Sequence, residues 1–160
     1  MLRRSLLGLS LLVVTPASAR VLFAGGHWVA AEQPDGRSCA ALSRSELIAP
    51  KGREQARLSV SFDRGGPRQG ELHVRLSRSA RPGSSVLLVA GGRTFQLVGR
   101  GADAWSRGPA QEAAIIAALR GASDMRVRFR GATSGYTDRY LLRGAPTAID
   151  AAAAACSRPR

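Results

Sequence analysis

The stretch Met125-Arg126-Val127-Arg128-Phe129-Arg130 alternates large apolar side chains with arginines. Successive side chains of a β-strand point to opposite faces of the sheet, so this period of two predicts a strand with one buried and one solvated face. The three arginines then project from the same face, with like charges about 7 Å apart. This short segment therefore bears on both the fold and the candidate site.

The same alternation recurs elsewhere in the chain. It returns in residues 58–62 and 72–76, and the turn Gly65-Gly66-Pro67 between them predicts an antiparallel hairpin. Pro34-Asp35-Gly36 lies between two shorter candidate strands, at residues 27–29 and 37–42, and predicts another hairpin. The sequence therefore favours an antiparallel, mainly β protein.

Three further segments extend the predicted sheet. The continuous apolar run 85–90 is typical of a strand covered on both faces, and Gly91-Gly92 turns it into a strand over 93–98. Residues 136–143 predict a last strand. Together these strands provide two layers, so we expect a β-sandwich-like domain.

Two helices interrupt this pattern, one internal and one C-terminal. Pro109 to Arg120 places Ala113, Ile116 and Leu119 on one helical stripe, and Gly121 is suited to the C-terminal cap. Pro146 to Cys156 is rich in alanine, which favours a helix that must dock on the rest of the protein to persist.

The first 19 residues have the pattern of a secretory signal peptide. A basic start at Arg3 and Arg4 precedes the apolar run 6–14, and Ala17-Ser18-Ala19 predicts cleavage after Ala19. A membrane anchor or a buried core helix is the alternative, although the apolar run is short for a span and no later segment could cross a bilayer. We therefore expect residues 20–160 to form a single β-rich domain in the periplasm or outside the cell.

The only cysteines are Cys39 and Cys156. Exported proteins fold in an oxidising compartment, so an even count predicts a disulfide that ties the first hairpin to the last helix. Two free thiols for redox or metal chemistry are the alternative, but no Cys-x-x-Cys motif or Cys/His cluster supports them.

The chain is strongly basic, with a net charge of +13. Removing Arg3 and Arg4 with the leader still leaves +11. Lys51 is the only lysine, so nearly all the positive charge is arginine. A genome that favours arginine codons and a function that needs positive charge are the two competing explanations of this composition.

Several short motifs, in a fixed order, resemble a known family. They are the leader, His27-Trp28-Val29, a serine-rich strand, Gly92-Arg93-Thr94-Phe95-Gln96-Leu97, Ala104-Trp105, residues 113–121, residues 135–144 and Ala155-Cys156. In this order the chain resembles the invasion associated locus B family of alphaproteobacterial periplasmic proteins. The resemblance implies a β-sandwich-like domain in the periplasm or on the outer surface, linked by name to host-cell entry, with no assigned chemistry.

The chain departs from that family in its cysteines. Members often carry further cysteines about where this chain has Ala31 and Ala104. The departure puts a close functional match, and the cell-entry role, in doubt.

The residues offer little for catalysis. His27 and His73 are the only histidines, each predicted at the surface or rim of a strand, and no Gly-x-Ser-x-Gly motif lies near them. Asp138 shares a strand face with apolar residues, so we expect it to be partly buried and bonded to an arginine or a backbone N–H. No metal or cofactor is implied, and we expect a protein that is not an enzyme.

Binding is the favoured function, and its candidate residues are Arg75, Arg126, Arg128, Arg130 and Trp105. We expect an anionic envelope or host-surface glycan, such as lipopolysaccharide, or an acidic protein as partner. The alternatives are a merely solvated arginine face, and burial of Trp105, from its glycine-rich loop, against the following helix. Export argues against nucleic acid.

Two other functions stay open. A small periplasmic inhibitor or an accessory subunit of an envelope complex could use the same disulfide-tied scaffold to present loops. An enzyme using scattered acids would need a pocket that joins Asp138 to another carboxylate. The sequence carries no signal for an oligomeric state.

Overall fold

The computed structural model describes residues 18–157, so most of the predicted leader lies outside the described residues. Ten strands and two helices fall within this range. The strands are β1 Arg20–Gly25, β2 Trp28–Glu32, β3 Ser38–Arg44, β4 Arg57–Asp63, β5 Gln69–Arg75, β6 Val86–Ala90, β7 Arg93–Arg100, β8 Asp103–Trp105, β9 Asp124–Arg130 and β10 Gly135–Leu141. Helix α1 spans Pro109–Gly121 and helix α2 spans Ala145–Ser157.

All ten strands join one antiparallel sheet in the order β1-β2-β3-β4-β5-β8-β7-β6-β9-β10. Strand β7 connects its two halves, because residues 93–97 pair with β6 whereas residues 98–100 pair with β8. One half contains β1-β2-β3-β4-β5-β8, and the other contains β6-β9-β10. The two halves place their inner side chains in one shared core, which gives a sandwich-like architecture. The expected mainly β fold with one internal and one C-terminal helix is confirmed.

The core is built from the alternate residues that the sequence pattern selected. Leu58, Val60, Val74, Met125 and Val127 are all at most 1 % exposed. Helix α2 lies against β1 to β4, and α1 lies mainly against β5. The helices therefore pack into the same core as the two halves of the sheet.

A disulfide joins the sheet to α2. Cys39 on β3 bonds to Cys156 on α2, with their Cα atoms 5.8 Å apart, and both residues are buried. The predicted pairing is confirmed. Because α2 is rich in alanine and offers few large side chains to the core, the covalent bond supplements weak packing.

The predicted hairpins are present as β2–β3, β4–β5 and β6–β7. Two strands were not predicted, β1 and the three-residue β8. The expectation that the run 85–90 is covered on both faces is wrong, because Leu87 and Val89 on the outer face of β6 are only half-buried. Within residues 18–157, no second layer covers that outer face.

The buried stripe of α1 is shifted by one position from the predicted stripe at two of the three predicted residues. Ile115 and Leu119 are fully buried, whereas Ala113 is exposed and Ile116 is half-buried. Gly121 is the last helical residue and not a cap, since Ala122 ends the helix in an extended conformation. The chain must enter β9 at Asp124, and extended backbone leads there directly.

The turn between β1 and β2 is held against the junction of β10 and α2. The N–H of His27 donates to the carbonyl of Arg143 over 2.9 Å. Gly26 and Gly144 adopt positive φ angles of 61° and 95°, and a Cβ at either position would collide with the backbone of the opposite segment. Glycine is required there both for its φ and for the close approach.

Candidate functional site: an exposed arginine row

Strand β9 carries the three arginines that the sequence analysis singled out. Arg126, Arg128 and Arg130 are all exposed, while the residues between them point into the core. Side chains two residues apart on a strand lie about 7 Å from each other. We call these three residues the arginine row.

The arginine row borders an apolar strip on one side and polar residues on the other. Leu87 and Val89 of β6 lie opposite Arg128 and Arg126, and Thr137 of β10 lies opposite Arg128. The outer face of this half of the sheet therefore presents a line of positive charge beside half-buried apolar side chains. Such a surface can bind an anion and pack against its apolar part.

Part of the row is neutralised and part is not. Arg126 lies 3.4 Å from Asp124, whose main partner is Arg139 at 2.7 Å. The hydrogen bond from Arg139 lowers the pKa of the Asp124 carboxyl, so this carboxylate stays ionised. Within residues 18–157, no carboxylate lies within 4.0 Å of Arg128 or Arg130. Like charges about 7 Å apart repel by roughly 0.6 kcal/mol in water, which an anionic partner would relieve.

Arg75 does not join the row. It lies on β5 in the other half of the sheet and contacts Glu54 at 2.7 Å and Asp103 at 2.6 Å. The hydrogen bond to Glu54 raises the pKa of Arg75. With two carboxylates beside it, Arg75 offers little free charge to a ligand.

Trp105 pairs with His73 on β5, two residues from Arg75, so it lies in the same half of the sheet as Arg75 and not beside the row. It is on the short strand β8, not in a loop, and its ring stacks on His73 with centroids 5.1 Å apart. His73 Nε2 in turn lies 2.9 Å from Asp103 Oδ1. The predicted site residues thus separate into two groups. One is the arginine row, and the other is Arg75 with Trp105, which lie in a cluster with His73 and Asp103.

The Asp103–His73 contact was missed from the sequence, because the pairing of β5 with β8 brings together residues 30 apart. Ser59 lies opposite His73 in the β4–β5 register, but no hydrogen bond joins its hydroxyl to the imidazole in the described residues. The arrangement therefore lacks the nucleophile–base contact of a serine hydrolase.

Asp138 is buried, as its position on the inner face of β10 suggested. It is 6 % exposed, and the backbone N–H of Ser77 donates to its Oδ2 over 2.9 Å. Burial raises the pKa of this carboxyl, and hydrogen bonding from Ser77 opposes the rise. A cleft reaches Asp138, but Asp138 is the only carboxylate among the described residues that line it. Among the described residues, this cleft therefore lacks the second carboxylate that acid–base catalysis by a pair of carboxylates needs.

Residues 18–157 contain neither a metal-binding cluster nor a membrane-spanning helix. No group of three or more His, Cys, Asp or Glu is placed to hold a metal ion. No helix in the described part of the chain is long and apolar enough to span a bilayer.

Fold and site together define a class: a disulfide-tied, mainly antiparallel β protein with a row of arginines on an open sheet face. A scan against protein-family models finds no match, and searches of curated proteins and of solved structures find none either.

Proposed function

We propose that this protein is a non-enzymatic binding module of the bacterial envelope, similar to the invasion associated locus B family, which binds an anionic partner through the arginine row. The observation that carries the proposal is the placement of Arg128 and Arg130, which are exposed on one strand without a carboxylate within 4.0 Å in the described residues. Codon preference explains a high arginine content, but it does not explain why three arginines occupy alternate positions on one face of β9.

The proposed location is the periplasm or the cell exterior. The signal-peptide pattern of residues 1–19 supports export, and the Cys39–Cys156 disulfide fits an oxidising compartment. Export in turn separates the protein from nucleic acid, so the proposed anion is a glycan such as lipopolysaccharide or a sulfated polymer, or an acidic protein.

The first prediction tests the arginine row on a sulfated-glycan resin. Changing Arg126, Arg128 and Arg130 together to Gln should make the protein elute at clearly lower salt, because charges exposed to solvent attract a polyanion in a salt-dependent way. The matched control changes Arg37, Arg44 and Arg107 to Gln, which removes the same charge from scattered exposed positions. The elution salt of both variants is compared with that of the unchanged protein.

Equal elution of the two variants would show that only net charge matters, and the arginine row would then have no special role. Elution of the row variant at the salt of the unchanged protein would contradict the proposal outright.

A second candidate function is that of a periplasmic inhibitor or an accessory subunit of an envelope complex. One observation favours it: Leu47 and Ile48 are 74 % and 78 % exposed on the segment between β3 and β4. Adjacent exposed aliphatic side chains often mark a contact with another protein. Changing both to Ser should abolish recovery of a crosslinked partner from envelope extracts, whereas an unchanged crosslinking pattern would remove this candidate.

A further inference from the structure

Strand β10 lies at one end of the sheet, and part of its free edge is already used. The carbonyl of Leu141 accepts a hydrogen bond from Trp28 Nε1 at 3.0 Å, and the carbonyl of Arg139 accepts one from the N–H of Glu46 at 2.7 Å. Both carbonyls point away from β9. On an antiparallel strand, backbone groups that point to the same side recur at every second residue.

Thr137 is the next residue whose backbone points outward. It is exposed, and no hydrogen bond of its N–H or carbonyl to another described residue is present beyond the β9–β10 pairing. An unpaired N–H and C=O on an end strand are a template for one more strand. The edge is thus occupied at Arg139 and Leu141 and open at Thr137.

A cleft lies beside this open position. It has a volume of about 280 Å³ and is lined by Thr137, Tyr136, Leu47, Ile48 and Pro50, among others. Its walls are largely apolar, with Asp138 at the inner side. The cleft therefore offers room for an apolar side chain next to the free backbone of β10.

The outer wall of the cleft is held in place by hydrogen bonds. The side-chain oxygen of Gln55 accepts a hydrogen bond from the N–H of Ala49 over 2.8 Å. The side-chain nitrogen of Gln55 donates to Ser45 Oγ over 2.8 Å and to the Leu47 carbonyl over 3.0 Å. Because this segment is already ordered in the free protein, binding of a partner loses little conformational entropy from it.

Two arginines lie close to the open edge. The Arg78 guanidinium lies 6.0 Å from the centre of the Tyr136 ring at the cleft, and Arg128 lies opposite Thr137 on β9. An added strand would lie about 10 Å from β9, within the range of unscreened charge interactions at moderate salt. Charge complementarity favours an acidic occupant.

We propose that the open edge of β10 at Thr137 and the adjoining cleft bind an extended, acidic peptide segment of a partner protein, with an apolar side chain placed between Ile48 and Tyr136. Main-chain hydrogen bonds to Thr137 supply the strand addition, and the cleft selects the anchor side chain. The inference deepens the second candidate function. Its edge and cleft are independent of the arginine row, and only the preference for acid depends partly on Arg128.

The test uses a fluorescein-labelled peptide of alternating glutamate and leucine, about ten residues long, and fluorescence anisotropy with the oxidised protein. Thr137→Pro removes the outward N–H without removing a bond to β9, and Ile48→Ser removes an exposed wall of the cleft. Each variant should bind roughly three- to tenfold more weakly. Val98→Ser, which changes an exposed apolar residue on β7, is the matched control and should bind like the unchanged protein.

A second peptide separates strand addition from general stickiness. N-methylation of alternate backbone amides leaves its charge and side chains intact but removes the donors that strand addition needs. If it binds as well as the parent peptide, the inference is wrong. Equal binding of a version with lysine in place of glutamate would overturn the acidic preference.

The outcome also distinguishes the two proposals. Loss of peptide binding in the arginine-row variant alone, with Thr137→Pro and Ile48→Ser unaffected, would place the peptide on the row and overturn the inference. Loss in the edge variants with unchanged retention on sulfated resin would support the inference, and the retention result would still judge the arginine row by itself.

Discussion

At the scale of single residues, burial of Asp138 links stability to pH. The carboxyl is nearly inaccessible to solvent, and burial raises its pKa because the charged form loses hydration. The folded chain therefore holds the proton more tightly than the unfolded chain, in which the pKa of an aspartate is about 3.9.

The sign of the resulting pH dependence follows from this difference. As pH rises above about 4, the unfolded chain releases the Asp138 proton first, so the contribution of this residue to the free energy of unfolding falls, by at most about 1.4 kcal/mol per pH unit. The fall ends once pH passes the raised pKa. Asp138→Asn should remove this fall and leave the variant more stable near neutral pH.

Urea unfolding at a series of pH values measures the effect as the difference between the variant and the unchanged protein. Asp35→Asn, at an exposed turn position, is the control. A constant difference between Asp138→Asn and the unchanged protein across the series would show that Asp138 is not the group responsible.

Tyr140 gives a second prediction at this scale. The residue is fully buried, and its hydroxyl is the only buried side-chain polar atom of the described residues without a hydrogen-bond partner. An unsatisfied buried polar group costs about 1 to 3 kcal/mol, so Tyr140→Phe should leave stability unchanged or raise it by about 1 kcal/mol. The urea midpoint measures this change, and a marked loss of stability would reveal a bonded hydroxyl.

The sequence could place Asp138 and Tyr140 on one buried face, because side-chain direction alternates along a strand. It could not show that Ser77 supplies the donor for one of them and that the other has none. The hydrogen bond from Ser77 to Asp138 joins residues 61 apart in the chain, and local sequence patterns do not predict contacts at that separation.

At the scale of elements, the close contact of two glycines joins the first turn to the start of α2. Gly144→Ala should destabilise the protein through its positive φ, by about 1 kcal/mol, and through collision with the Gly25 carbonyl, by roughly a further 1 to 3 kcal/mol. Gly52→Ala separates the two effects, since Gly52 also has a positive φ but has open space around it. Equal losses in the two variants would show that the contact contributes nothing.

Secondary structure followed from the sequence where alternation was regular, as in β4, β5 and β9. Strand β1 gave no such signal, because Val21, Leu22 and Phe23 are consecutive apolar residues with no alternation. Strand β8 was too short to show a period. The buried stripe of α1 could equally have included Ile115 or Ile116, and packing against the neighbouring strands selected Ile115.

At the scale of the whole molecule, local patterns could not determine how the hairpins assemble. The order β5-β8-β7-β6-β9 depends on β7 pairing with different strands along its length. This arrangement sends the arginine row and the Arg75–Trp105 group to different halves of the sheet. The sequence could name these residues but could not show that they form two sites.

The disulfide gives the prediction at this scale. Replacing Cys39 and Cys156 together by Ala should lower the free energy of unfolding by roughly 4 to 5 kcal/mol, because the bond closes a loop with a sequence separation of 117. The urea m-value should rise, since the unfolded chain without the bond exposes more surface. Unfolding of the reduced, unchanged protein should match that of the double variant. A double variant as stable as the oxidised protein would show that the bond does not contribute.

The wide spacing of the two bonded cysteines also matters while the chain is being made. Synthesis at about 5 to 20 residues per second adds Cys156 to the chain roughly 6 to 23 s after Cys39. For that interval the earlier thiol has no native partner, and it can attack a small disulfide in its surroundings, which forms a mixed disulfide and releases one small thiol, or it can be oxidised. The rate at which its partner arrives therefore influences how many newborn molecules reach the native cross-link and how many are trapped as adducts.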